Sequence, residues 1–149
     1  MPASLERRVH RITAMVVALA LALVACSSSE ADNIDGPWEL VKATGSGVSY
    51  TPDPDYDTPW LQVLPEVEGN TGCNGLRGDG PPPDYDDGHL TQVSWIAQAV
   101  GCPGAVAAIE ALLLTTLSHD DGIKVTFGDE GDTMRWESPT GVAIDFIRR

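Results

Sequence analysis

Three cysteines carry the side chains most capable of covalent chemistry in this sequence, and their surroundings favour different reactions. Cys26 directly follows an apolar run and a small residue, Ala25, near the start of the chain. Cys73 and Cys102 lie further along, and each is preceded by a glycine. A cysteine sulfur can be acylated or alkylated, can close a disulfide, or can attack a substrate as a thiolate. The residues around each cysteine indicate which of these reactions to expect.

The first 26 residues resemble a bacterial lipoprotein signal. Three arginines precede an apolar run over residues 12–24, which is the basic and then apolar order of an export signal. The run closes with Leu23–Cys26, which places a cysteine directly after a small residue and so resembles a lipobox. The resemblance implies cleavage after Ala25 and attachment of a diacylglycerol to Cys26, with further acylation for durable membrane anchoring.

Two other interpretations of the N-terminus remain open. A retained transmembrane helix needs about 20 apolar residues, and this run is shorter. A twin-arginine export signal would use Arg7 and Arg8, but His10 and Arg11 stand where an apolar pair is expected. We therefore predict a signal peptide over 1–25, a lipidated tether over 26–35 and one folded domain over 36–149, located in the cell envelope outside the cytoplasm.

The charge of the chain limits its partners. The formal net charge is -13, and the segment lost on cleavage carries +2, so the mature chain is near -15. A surface this acidic repels phosphate backbones and anionic lipid headgroups. We expect no nucleic-acid partner, and we expect membrane association through the lipid on Cys26 alone.

Cys73 and Cys102 form an even pair once Cys26 is lipidated. An even number of cysteines in an oxidising compartment favours a disulfide, and the loop it closes is large enough for about 3–4 kcal/mol of stabilisation. The alternative is a reactive thiol. Pro103 suits the first position of a helix, so Cys102 would lie where a helix dipole stabilises a thiolate.

No other residues form a recognisable catalytic set. His10 is lost with the signal, and His89 and His119 lie in no hydrolase or metalloprotease motif, so we expect both in surface or turn positions. The sequence also contains no phosphate-binding or dinucleotide-binding glycine loop. We therefore predict a protein that is not an enzyme and that needs no cofactor or metal.

Acidic clusters and tryptophans are the remaining candidate binding residues. Closely spaced loop carboxylates can bind calcium, but these lack the pattern of an EF-hand, and we expect solvated turns. The tryptophans could line a cavity for an apolar ligand, although such residues more often fill a core. The clusters are Asp53/Asp55/Asp57, Asp84/Asp86/Asp87 and Asp129/Glu130/Asp132, and the tryptophans are Trp38, Trp60, Trp95 and Trp136.

One segment has helical periodicity. Apolar residues recur at steps of three and four between Pro103 and Ser118, while Glu110 can face water. Gly122 follows, available for a left-handed conformation. The residues of the apolar stripe are Val106, Ile109, Leu113 and Leu117.

The rest of the domain is predicted to form strands and turns. Gly78–Gly88, with three prolines, is predicted to be an exposed loop without core residues. Three hairpin-linked strands are predicted to end the chain. Strands around one helix, without β-α-β repetition, indicate a mainly β (α+β) fold: a small antiparallel sheet, curved or barrel-like, with one helix packed on it or capping it. The predicted strands are Trp38–Lys42, with Ser46–Thr51 pairing to it, Trp60–Leu64, His89–Ile96, Ile123–Phe127, Thr133–Glu137 and Val142–Ile147.

Several short motifs recur in the order of a known family: Gly36–Leu40, Gly72–Asn74, Gly101, Cys102, Glu110 and Leu113. Together they resemble the META domain, the family that includes HslJ-like envelope proteins. The specific residues are Gly72, Cys73, Asn74 and Cys102. Gly72 permits a positive φ, and Asn74 tolerates one or bonds its own backbone, so the pair could shape the turn that carries Cys73.

The META resemblance implies a small antiparallel barrel-like fold with one helix, common in bacterial surface or secreted lipoproteins, and it implies no particular reaction. We expect a binding, interaction or envelope-stress module whose partner is an envelope protein. The alternatives are a carrier of a small apolar ligand inside the barrel and, third, an enzyme that works through Cys102.

Overall fold

The computed structural model describes residues 34–98 and 100–149. The predicted signal peptide, Cys26 and the tether up to residue 33 lie outside these residues. Ile34, near the end of the predicted tether, is already buried in the core. No helix within the described ranges is long and apolar enough to cross a membrane.

The described residues contain one helix and eleven strands, which we number in chain order. The helix α1 spans Gly104–Leu117. The strands are β1 (Trp38–Gly45), β2 (Val48–Tyr50), β3 (Trp60–Gln62), β4 (Glu68–Asn70), β5 (Gly75–Gly78), β6 (Asp84–Asp86), β7 (His89–Thr91), β8 (Trp95–Ala97), β9 (Ile123–Phe127), β10 (Thr133–Glu137) and β11 (Ala143–Arg148).

All the strands belong to one antiparallel sheet. Ten follow the order β6-β7-β9-β10-β11-β1-β3-β4-β5-β8, and β2 pairs with β1 beside this path. Strand β1 is central: Trp38 lies opposite Arg148 of β11 on one side and Leu61 of β3 on the other. The last strand therefore lies beside the first, which brings the C-terminus to the start of the domain.

Chain connectivity shows that the sheet is curled. Strands β5 and β8 lie at one end of the strand order, and β6 and β7 lie at the other. Residues 79–83 alone connect β5 to β6, and residues 92–94 alone connect β7 to β8. Because an extended chain spans at most about 3.6 Å per residue, these short links hold the two ends of the sheet close together. The predicted mainly β, curved antiparallel sheet with one helix is confirmed.

The concave side of the sheet is filled by side chains. Trp38 and Trp136 are almost fully buried, and the Trp136 ring lies 4.9 Å from that of Phe146. The indole N–H of Trp38 donates to the Ile34 carbonyl at 3.0 Å, so this buried polar atom is satisfied. Of the four tryptophans these two are core residues, as predicted, whereas Trp60 and Trp95 are only partly buried.

The apolar stripe of α1 is buried as predicted. The helix begins one residue later than expected, because Pro103 has an extended conformation and occupies the N-cap position. Gly45 of β1 lets the helix approach the sheet closely, since a Cβ there would lie 2.6 Å from Leu112 Cδ2. The left-handed conformation predicted for Gly122 is present, with φ +81°.

The prediction for Gly78–Gly88 was wrong. Residues 84–86 form β6, Pro83 is buried, and Tyr85 packs against the core. The prolines only precede the strand, so they remove no ladder hydrogen bond from it. Pairing with β7, which itself pairs with β9, draws this segment into the sheet.

His89–Ile96 was also predicted incorrectly, as a single strand. The chain forms β7 and β8 instead, with Gln92 at φ 59° between them. The two strands pair at opposite ends of the sheet: Leu90 lies opposite Ile123 of β9, and Trp95 lies opposite Gly78 of β5. Each of these two strands therefore has its own alternation of inward-facing and outward-facing side chains. This explains why apolar residues over the whole of 89–96 do not recur with a period of two.

A substitution at Gly69 tests how closely β3 and β4 pack. A Cβ at Gly69 would lie 2.5 Å from the Trp60 carbonyl oxygen, and this backbone atom cannot move aside without disturbing the ladder. We expect Gly69→Ala to lower the free energy of unfolding by about 2–3 kcal/mol, measured by urea denaturation. Gly101→Ala is the control, because a Cβ there meets nothing within 4 Å. Equal stability of the two variants would contradict the packing described.

Candidate functional site

The two cysteines of the folded domain form a disulfide. The Sγ atoms of Cys73 and Cys102 are 2.15 Å apart and the Cα atoms 5.9 Å apart. The bridge joins the turn between β4 and β5 to the segment that leads into α1. Of the two interpretations that the sequence left open, the structure therefore contains the disulfide, and Cys102 is not a free thiol in it.

The turn that carries Cys73 depends on a glycine. Gly72 has φ +92°, and a Cβ there would lie 3.0 Å from the Asp57 carbonyl oxygen. Its N–H donates to Asn70 Oδ1 at 2.6 Å, and the Thr71 N–H donates to the Asn74 carbonyl at 2.9 Å. The positive φ predicted for Gly72 is confirmed. The side chains that bond the backbone of the turn are those of Asn70 and of Thr71, whose hydroxyl accepts from the Asn74 N–H at 3.0 Å, and the sequence analysis identified neither.

Asn74 has a different role from the predicted one. It is absent from the residues with positive φ, and its side chain reaches across to another segment. Its Oδ1 accepts from the Val100 N–H at 3.1 Å, and its Nδ2 donates to the Val100 carbonyl at 2.9 Å. The amide thus pairs with Val100 as a neighbouring strand would, and at 1% exposure it does so away from water.

Glu110 completes the arrangement from the helix. Asn74 Nδ2 lies 3.1 Å from Glu110 Oε1 and 2.9 Å from Oε2, and the Thr71 hydroxyl donates to Oε2. The prediction that Glu110 faces water was wrong, because the side chain is half-buried and hydrogen-bonded. Its position beside Ile109, at the edge of the apolar stripe, is the sequence signal that could have indicated a partly buried carboxylate.

The same polar groups touch the disulfide. Asn74 Nδ2 lies 3.1 Å from Cys102 Sγ, and Glu110 Oε2 lies 3.4 Å from that sulfur. A disulfide sulfur carries no hydrogen, so it accepts weakly from the amide and makes van der Waals contact with the carboxylate. We call Thr71, Cys73, Asn74, Cys102 and Glu110 the disulfide cluster. Each polar side chain in it is bonded to another group of the protein.

The described contacts of the two histidines are separate from those of the disulfide cluster. His89 Nδ1 lies 3.0 Å from the Asp87 carbonyl oxygen, and His119 Nε2 lies 3.2 Å from Thr140 Oγ1. Over the described ranges, no three His, Cys, Asp or Glu side chains are grouped so as to hold a metal ion.

An open groove lies beside the disulfide cluster, on strands β4, β5 and β8. It encloses about 480 Å³, and its lining includes Gly75, Arg77, Ile96 and Gln98. Ile96 is 39% exposed, and Val100, just beyond β8, is 60% exposed. Apolar side chains are therefore presented to solvent beside the groove and on the segment that Asn74 holds.

Comparison with known families identifies the family of this chain. The family model described as the META domain matches residues 31–149. The chain belongs to the META domain family. The motif residues on which the resemblance was based, Gly72, Cys73, Asn74 and Cys102, lie together at the disulfide, and Glu110 joins them from α1.

Solved structures show the same fold. A protein from Burkholderia xenovorans, determined by NMR, superposes with a TM-score of 0.61 at 22% identity, over 77% of this chain and 82% of that one. A second NMR structure gives a TM-score of 0.55 at 13% identity, over 74% of this chain and 86% of that one. No curated protein matches the chain. At these identities the likeness shows a shared fold alone.

Removing the Asn74 amide tests the importance of the cluster for stability. Asn74→Ala leaves the Val100 N–H and carbonyl without their partner and removes a donor to Glu110. We expect the free energy of unfolding to fall by about 1–3 kcal/mol, because part-buried polar groups of Val100 and Glu110 lose their hydrogen bonds. Chemical denaturation of the oxidised protein measures this change.

The control for this prediction is Gln98→Ala, since the Gln98 side chain is exposed and makes one long contact, 3.4 Å to the Gly75 N–H. Its effect is expected to stay within about 0.5 kcal/mol. An Asn74→Ala protein as stable as this control would mean that the disulfide alone holds the segment.

Proposed function

We propose that this META domain protein is a lipid-anchored, non-catalytic binding module of the bacterial cell envelope, and that it binds an extended segment of another envelope protein at the edge of β8. Two parts of the proposal have separate support. The anchor rests on the sequence of residues 1–26, and the binding surface rests on the geometry of β8.

The lipoprotein pattern at Leu23–Cys26 supports the anchor. A disulfide between Cys73 and Cys102 is consistent with export, because disulfides persist in oxidising compartments. The acidic charge of the chain gives no attraction to anionic headgroups, so the sequence favours a covalent lipid over electrostatic attachment to the membrane surface.

The state of the polar groups supports a non-catalytic role. An enzyme site needs an activated nucleophile or an acid and base that face a substrate. In the described part of the chain the grouped polar side chains, Thr71, Asn74 and Glu110, bond to one another and to the backbone. They stabilise a junction between a turn, a loop and a helix.

The free edge of β8 is the observation that carries the binding proposal. Strand β8 ends the sheet and pairs only with β5 among the described strands, and it contains no proline and no charged residue. The opposite end of the sheet is protected, because β6 contains Asp84 and Asp86 and follows three prolines. An unprotected edge offers backbone donors and acceptors that an extended peptide complements.

Exposed apolar side chains add to this edge. Ile96 lies on β8, beside the groove described above, and Val100 follows the strand. Apolar side chains exposed beside an unprotected strand edge favour contact with the side chains of a peptide that pairs there. The alternative of a carrier for an apolar ligand finds less support, because side chains such as Trp38, Trp136 and Phe146 fill the concave side of the sheet.

Cys26→Ser tests the anchor. The wild-type chain is expected to incorporate labelled palmitate in cells and to sediment with membranes, while Cys26→Ser loses the label. Ser27→Ala is the control and keeps both properties. A Cys26→Ser protein that still carried the label would contradict lipidation at this residue.

Site-specific photo-cross-linking in cells tests the edge of β8. A benzophenone amino acid at position 96 is expected to give a discrete protein adduct that Val100→Glu weakens at least about threefold, because a buried charge opposes apolar contact. The matched control is position 48, where Val48 is 47% exposed on β2. Absence of an adduct at 96, or the same adducts at both positions, would contradict a partner at β8.

A further inference from the structure

We propose that the Cys73–Cys102 bridge is an exchange site for external thiols and disulfides, in which the Glu110 carboxylate carries the proton of Cys102. This inference depends on neither the lipid anchor nor the β8 edge, and because the bridge exchanges only its own two electrons with an external thiol or disulfide, it leaves the non-catalytic binding role proposed for β8 unchanged. It rests on the contacts of the disulfide cluster alone.

The two sulfur atoms have different surroundings. Glu110 Oε2 and Asn74 Nδ2 lie 3.4 Å and 3.1 Å from the sulfur of Cys102. The described side-chain contacts around the bridge include none between either group and the sulfur of Cys73. A carboxylate beside one sulfur repels an approaching thiolate from it. Exchange therefore takes place at Cys73, and Cys102 is the sulfur that leaves or returns.

The neighbouring hydrogen bonds allow the bridge to open without separating its ends. Asn74, next to Cys73 in the turn, bonds the backbone of Val100, two residues before Cys102. Glu110 bonds Asn74 and Thr71 from the helix. These bonds cross the same junction as the disulfide, so the reduced cysteines stay within reach of each other.

A reduced Cys102 also finds acceptors already in place. A thiol is a weak donor, and the Val100 carbonyl oxygen and Glu110 Oε2 lie 3.6 Å and 3.4 Å from this sulfur. Hydrogen bonding to the carboxylate would hold the proton on the side of the sulfur that faces α1. Proton transfer to Glu110 would then leave a thiolate directed at Cys73.

Closure of the bridge oxidises the two cysteines and reduces one external disulfide to two thiols. The Cys73 thiolate attacks an external disulfide, which releases one external thiolate and leaves a mixed disulfide on Cys73. Cys102 transfers its proton to Glu110, its sulfur attacks the Cys73 sulfur, and the second external thiolate leaves. Glu110 passes the proton to that thiolate through water. Two electrons pass from the cysteine pair to the external disulfide, and reduction by an external dithiol follows the reverse path.

The rate of closure tests the role of Glu110. The full chain is used in mild detergent, with Cys26→Ser in every form so that only two thiols react. After reduction and removal of the reductant, excess oxidised glutathione is added, and thiols are trapped at intervals for mass spectrometry. Because the carboxylate acts as a general base, Glu110→Gln is expected to slow conversion of the mixed disulfide to the bridge at least about tenfold near pH 7.

The dependence on pH separates a proton carrier from a structural residue. Wild-type closure is expected to change little between about pH 6 and 8, because the base is internal. Closure of Glu110→Gln is expected to rise about tenfold for each pH unit, because it depends on thiolate formed by hydroxide. Glu137→Gln, which removes an exposed carboxylate paired with Arg135 on β10, is expected to behave as wild type.

Two further measurements separate the role of Glu110 from effects on the first exchange step and on folding. Cys102→Ser reports the first step at Cys73 by itself, and near-UV circular dichroism of the reduced wild-type chain reports whether the environment of Trp38 and Trp136 is retained. The proposal is overturned if Glu110→Gln closes as fast as wild type with the same pH profile. It is equally overturned if reduction abolishes the near-UV signal, since the bridge would then be a folding crosslink and no exchange site.

Discussion

The structure around the disulfide depends on one buried amide. Asn74 holds the backbone of Val100 on one side and the carboxylate of Glu110 on the other, at 1% exposure. A buried amide is costly unless its donors and acceptors are paired, so three separate parts of the chain have to meet at this point. The turn that presents Asn74 needs a positive φ at Gly72, and the helix that presents Glu110 needs its apolar stripe against the sheet.

The disulfide and the amide act on different states of the chain. A crosslink between Cys73 and Cys102 mainly restricts the unfolded ensemble, by about 3–4 kcal/mol in the chain-entropy model. The bonds of Asn74 exist only in the folded state, where they select one geometry for the turn, the loop and the helix. The disulfide therefore limits how far the segments separate, while the amide determines how they fit.

The sequence was sufficient to predict the elements whose apolar residues recur with an unbroken period. Strands β9 and β10 alternate cleanly, β11 alternates from Ile144 to Ile147, and α1 buries the four apolar residues expected from its spacing. Strands β4 and β5 were missed because each is short and contains glycine, and their stability comes from neighbours distant in sequence. Strand β6 was missed for a different reason: the three prolines before it favour a loop, and the strand follows from its pairing with β7.

The candidate site was predicted in part. The pairing of Cys73 with Cys102 and the positive φ of Gly72 followed from residue types and context. The partners of Asn74 did not, because local preference indicates a turn-forming asparagine, and only the curled sheet brings Val100 and Glu110 next to it. Glu110 has the pattern of a solvent-facing residue on the helix alone. Its position beside Ile109 at the edge of the apolar stripe permits partial burial, but the periodicity of the helix does not show that the turn at residues 71–74 supplies its hydrogen-bond partners.

Val100 connects the disulfide cluster to the edge of the sheet. Its backbone is held by Asn74, while its side chain is 60% exposed just beyond β8. Gln98, between β8 and Val100, approaches the N–H of Gly75, the residue that follows Asn74. Whatever fixes the segment from Gln98 to Cys102 therefore also fixes the end of the exposed edge. Because Cys102 ends this segment, opening the bridge removes the crosslink to the turn at Cys73, and the amide of Asn74 becomes the group that holds the end of the edge in place.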